Sequence, residues 1–171
     1  DPIQAHRMGV EIAKKVYGVP LQPADLVLIS SFPADLNFWQ AGKALYSADL
    51  AVKPGGTIVL VTPAIEGPGE HPEFLTLMAK SYDEIIALLD NNEVEDQIGA
   101  AGALAVAIVK QRAKVIIVSD GITDEQVESM GFTRYNPEDI QTAISHALKG
   151  LGDNPTINVI HEGAEILPLI N

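Results

Sequence analysis

Continuous apolar runs alternate with stretches of helical periodicity along the whole chain. "ADLVLIS" (24–30), "GGTIVLVT" (55–62) and "AKVIIVSD" (113–120) are short hydrophobic runs bounded by turn residues, and "PTINVIH" (155–161) is a weaker fourth. Runs of this length without polar alternation predict strands buried on both faces. "FTRY" (132–135), following Gly131, predicts one more short strand. In "IQAHRMGVEIAKKVYG" the apolar residues Ile3, Met8, Ile12 and Val16 have helical spacing, which stops at Gly18 and Pro20. Further helical patterns cover 35–52, 72–91 with a break near Ser81, 95–112, 123–130 and 137–150. Strand and helix alternate, so the expected fold is α/β with three layers. A mostly parallel sheet carries helices on both faces, in a doubly wound, Rossmann-like arrangement. Without an internal repeat or linker, residues 1–171 read as a single domain.

Composition narrows the set of partners. The 171 residues are 47% hydrophobic but only 5% aromatic, so Ile, Val, Leu and Ala must build the core. Eleven Lys and Arg against 23 Asp and Glu give a net charge of −12 with no basic run. Nucleic acid and anionic membrane surfaces are therefore excluded as expected partners. The chain has no cysteine, which removes disulfides and thiolate metal sites. No apolar run approaches the roughly 20 residues of a membrane helix, and "DPIQAHRMGVE" is unlike a signal peptide. A first residue of Asp rather than Met suggests a piece of a longer protein.

In open parallel sheets, ligands bind beyond the carboxyl ends of the strands. That nominates the loops "SSFPAD", "PAIEGPGEHP", "SDGIT" and "HEGAE". The glycines of "EGPGEHP" lack the third glycine of a dinucleotide turn and the Lys-Ser/Thr of a P-loop. Neither a nucleophile elbow nor a zinc-helix spacing among His6, His71, His146 and His161 is present. No metal-binding residues are therefore assigned. Glu66, Glu70 and His71 share one loop, which reads either as acid/base chemistry or as an ordinary solvated loop.

The helix opening with "PADLNFWQAGK" is more informative. Pro33 suits its first turn and Asp35 complements its dipole. Phe38, Ala41, Leu45, Ala48 and Val52 fall on one stripe facing the sheet, while Leu36, Trp39, Gln40, Lys43, Tyr46 and Leu50 lie opposite. So much apolar surface on an outer face calls for a cover. Either another element of the same domain covers it, or it meets something outside the chain, with Gln40 and Lys43 gripping one carboxylate from adjacent positions.

"PADLNFWQAGKAL" resembles the P-L-D-x-N-x-x-Q-A-x-K stretch in the carboxy-terminal domain of the nickel-dependent lactate racemase family. "DPIQAHRMGVEIAKKVYGV", "ADLVLIS", "AVKPGGTIVLVTPAIEGPG", "AKVIIVSDGI" and "MGF" follow in the order of that domain, and the chain's end resembles its final strand. The resemblance implies a two-domain parent that racemises or epimerises small 2-hydroxy acids with a nickel-pincer nucleotide. The family's reaction is a transient hydride transfer, and its histidines and cofactor-tethering lysine belong to an amino-terminal domain without counterpart here. By the same resemblance, Gln40 and Lys43 position substrate, Trp39 lines the cleft, and Glu66, Gly67 and Gly69 are candidates for covering the cofactor. Ala34 replaces the family's Leu, and Trp39 stands where a smaller aromatic is usual, which points to a different substrate. The expected partner is the missing catalytic domain and the expected compartment the cytoplasm. On this reading the isolated chain binds no cofactor and is inactive. The alternative is a non-catalytic binding or oligomerisation module that uses the Trp39 helix face as its interface, and a complete small enzyme built on Glu66, Glu70 and His71 is a third possibility.

Overall fold

The computed structural model describes residues 1–170. Its elements run α1 (Pro2–Tyr17), β1 (Gly18–Leu21), β2 (Ala24–Ser30), α2 (Phe38–Ala51), β3 (Val52–Val61), α3 (Pro72–Met78), α4 (Tyr82–Asp90) and α5 (Gln97–Arg112). They continue as β4 (Lys114–Val118), α6 (Asp124–Ser129), β5 (Thr133–Tyr135), a 3₁₀ turn (Pro137–Asp139), α7 (Ile140–Leu148), β6 (Ile157–Ile160) and β7 (Leu167–Ile170). The main sheet has the order β5-β4-β3-β2-β6, with every neighbouring pair parallel. The expected α/β fold, a parallel sheet flanked by helices, is what the chain adopts.

Right-handed crossovers explain how the helices are distributed. From β2 to β5 the chain steps always in one direction across the sheet, so the helices between these strands fall on one face. The return from β5 to β6 runs the other way and puts α7 on the opposite face. The core follows the two-residue period of the strands. Val27, Ile29, Ile58, Leu60, Val115 and Ile117 pack against residues from α2 to α6, including Phe38, Phe74, Ile85 and Val106. Leu26, Val59, Ile116 and Val118 pack against Ala143 and Ala147 of α7.

Three details differ from the sequence pattern. Helix α2 starts at Phe38 rather than at 35, because the Asn37 side chain accepts the Gln40 amide at 3.0 Å and caps the helix there. Pro33 lies in the preceding turn, not in the helix. The last helical pattern opens as a 3₁₀ turn before becoming α7. Strands β1 and β7 form a separate two-stranded parallel sheet, and β1 has no periodic signal of its own. Both contain proline, which a two-stranded sheet tolerates because each strand is an edge. The break near Ser81 is a capping box: Ser81 and Glu84 exchange side-chain and backbone hydrogen bonds and start α4.

Candidate functional site

Strand order reverses between β2 and β6, so their carboxyl ends flank the topological switch point of the sheet. The loops leaving these two strands wall a hollow of about 410 Å³, lined by Pro33, Leu36, Gln40, Lys43, Ala164 and Glu165. The second wall is held close to the first by Gly163, whose amide donates to the Ser30 carbonyl at 3.0 Å. A Cβ at position 163 would lie 2.4 Å from Ile29 Cγ1 and from the Ser30 oxygen, so only glycine permits this approach.

Gln40 and Lys43 are one helical turn apart on α2, and Lys43 Nζ donates to Gln40 Oε1 at 2.5 Å. Lys43 is exposed and Gln40 is half-buried. Among the described residues Lys43 is in no ion pair. Its ammonium therefore keeps donors free in the hollow that Gln40 also lines.

The amino end of α2 is not an anion site, although helix amides often form one. The Phe38 amide donates to the Gly67 carbonyl at 2.9 Å, the Trp39 amide to Pro68 at 3.1 Å, and the Gln40 amide to Asn37 Oδ1. The loop after β3 seals the helix, and in return its Ala64 and Glu66 amides donate to Asp35 and Leu36. Any anion recognised here is held by side chains.

This seal is also where the cofactor candidates lie. Gly67 supplies the carbonyl for Phe38. Gly69 has φ +102, and a Cβ there would sit 2.8 Å from Trp39 Cβ. Glu66 is exposed, with one carboxylate oxygen 3.5 Å from Asn37 Nδ2.

Trp39 points away from the hollow, into the domain. Its ring lies 4.2 Å from the His71 ring and 4.9 Å, edge-on, from Phe74. It also covers Gly102 of α5, where a Cβ would be 2.5 Å from Trp39 Cζ3. Elements of the same domain thus cover this part of the outer face, while Leu36, Tyr46 and Leu50 stay exposed.

His71 Nδ1 is 2.9 Å from Asp96 Oδ2. Because a carboxylate only accepts, Nδ1 carries the proton. Asp96 also caps α5 through the Gly99 amide at 2.8 Å, and that bond, then His71, holds its carboxyl below the usual carboxylate range. Sequence spacing did not point to Asp96, which lies 25 residues from His71; its signal was a cap position before an apolar helix. The structure does not join Glu66, Glu70 and His71 into one cluster: His71 turns to Asp96 and Glu66 to Asn37. Among the described residues, no group of three or more His, Asp or Glu is placed to hold a metal ion.

The chain is thus a parallel α/β domain with a Gln-Lys pair beside the switch point of its sheet. Residues 19–167 match the family described as the lactate racemase C-terminal domain, and the chain belongs to that family. A 71-residue stretch is 34% identical to the lactate racemase of Lactiplantibacillus plantarum, covering 40% of this chain and 17% of that protein. The fold matches the lactate racemase apoprotein from Thermoanaerobacterium thermosaccharolyticum with a TM-score of 0.81 and 26% identity, over 96% of this chain and 40% of that one. The chain therefore spans well under half the length of the solved relative.

Proposed function

We propose that this chain is the carboxy-terminal, substrate- and cofactor-covering domain of a 2-hydroxyacid racemase or epimerase, with Gln40 and Lys43 as its substrate-positioning residues. The reading rests on one observation above all. At the switch point the helix amides are sealed by their own loop, and a lysine with a neutral amide beside it is left open in a hollow. A 2-hydroxy acid is a small anion whose carboxylate must stay fixed while the α-carbon reacts on alternate faces. Lys43 supplies the charge for that carboxylate and the Gln40 amide an oriented donor, and neither has to exchange a proton.

In the parent enzyme a nickel-pincer nucleotide would supply the transient hydride acceptor. This chain does not fit nickel: it has no thiol, and among the described residues no three His, Asp or Glu are placed to hold a metal ion. The metal would be held by the amino-terminal domain, and this chain contributes binding, orientation and exclusion of water. The Glu66–Gly69 loop, bonded to the α2 amino end, would cover the cofactor from that side.

The test is chirality exchange on a set of 2-hydroxy acids by the parent enzyme, produced with its cofactor. Charge-assisted hydrogen bonds are worth about 1.5–3 kcal/mol each. Changing both Gln40 and Lys43 to Ala is therefore expected to lower kcat/KM by at least about a hundredfold. Unchanged kcat/KM in the double variant would remove the site from the reaction.

A further inference from the structure

Helix α1 has no buried residue in 16 positions. At about 100° per residue, Met8, Ile12 and Val16 form a single line, with Ala5 and Gly9 beside them and Lys15, Glu11 and His6 at its borders. Met8, Ile12 and Val16 are 68%, 60% and 66% exposed. The helix is capped by the Asp1 side chain and ends in Lys14 and Lys15, but a 16-residue helix is marginal in water unless it buries a face. It touches the rest of the domain chiefly through β1. Just beyond it lies a groove of about 380 Å³, lined by Val19, Leu21, Val159 and Ile166 among others.

The solved relative extends well beyond the part that this chain matches. The match to the carboxy-terminal-domain family begins at residue 19, immediately after the helix. The structural match covers 96% of this chain and so reaches into α1, yet it takes in only 40% of the solved relative. We propose that the Met8–Ile12–Val16 stripe is the docking surface for the amino-terminal domain of the parent enzyme, so that α1 is part of the interface between the two domains. The inference rests on the reading of this chain as a carboxy-terminal domain. The occupant is an apolar patch of that upstream domain, and the contact is separate from the Gln40–Lys43 hollow.

Hydrogen exchange at the α1 amides, compared between the 171-residue chain and the full-length parent, tests it. Exchange is expected to be at least about tenfold slower in the parent. Ile12→Asp should abolish that protection while leaving the melting temperature of the 171-residue chain unchanged, and Glu11→Gln, at the border of the stripe, should alter neither. Equal exchange in the two chains overturns the proposal. So does a dimer of the 171-residue chain that Ile12→Asp converts to monomer, because the stripe would then serve a second copy. Chirality exchange by the same parent is read separately. An active parent with unprotected α1 overturns only the docking surface, whereas an inactive parent with protected α1 supports the docking surface and overturns the catalytic reading.

Discussion

A methyl group at position 102 would lie 2.5 Å from Cζ3 and 2.9 Å from Cη2 of Trp39, and 3.3 Å from Phe74. The flat end of an indole cannot yield as a flexible chain end does, so Gly102→Ala forces α2 and α5 apart or tilts the ring. Overpacking of this kind costs about 1–3 kcal/mol. The expected result is a lower urea midpoint together with a shift in the emission of the chain's single tryptophan, and Trp39→Phe in the same chain should restore most of the loss. Without that recovery the strain would lie elsewhere. Position 39 also shows which residue properties a sequence reveals. The Gln40–Lys43 pair was legible because its geometry is local, three residues on one helix. The neighbours of Trp39 were not, since His71, Phe74 and Gly102 arrive from elements 32 to 63 positions away.

At the scale of elements, the edge strand β6 decides whether the hollow exists, and it is fastened to β2 at the end remote from the site. Asp25 Oδ2 accepts from the Thr156 hydroxyl at 2.6 Å, the Thr156 amide at 2.8 Å and Lys53 Nζ at 2.9 Å. The Thr156 bonds, then Lys53, hold the Asp25 carboxyl well below its ordinary value of 3.8. A carboxyl depressed in the folded state contributes stability that is complete above the unfolded value and is lost as pH falls through the folded one. The urea midpoint is therefore expected to fall on acidification below about pH 4, and to fall less steeply in Asp25→Asn. Identical acid slopes in the two proteins would acquit Asp25. Element boundaries were legible where chemistry is local. Ser81 announced the break between α3 and α4, and the hydrophobic run 24–30 is β2 itself. The start of α2 was misplaced because Pro33 and Asp35 also carry the signature of a first turn, whereas the cap is Asn37, with the loop after β3 closing over Phe38 and Trp39. Strand β1 exists only through its pairing with β7, almost 150 residues later.

For the whole molecule, alternation of apolar runs and helical repeats was enough to give the layered parallel fold, because the central strands β2, β3 and β4 are buried on both faces while helices such as α2 and α5 bury one. The site was legible only in part: the loops at the carboxyl ends could be nominated, but the switch point requires the strand order, which no local pattern carries. The domain has a closed core of its own and is expected to melt in a single cooperative transition when produced alone. Supplied with 2-hydroxy acids in that state, it should leave their optical rotation unchanged; turnover by the lone chain would refute its role as a covering domain.

Strand order also imposes an order in time. Ribosomal synthesis releases a chain from its amino end, so β2, α2 and β3 emerge about a hundred residues before β6. During that interval a nascent chain displays Gln40 and Lys43 without the wall formed by Gly163, Ala164 and Glu165. The polar pair thus gains its pocket only when translation of the domain is all but finished.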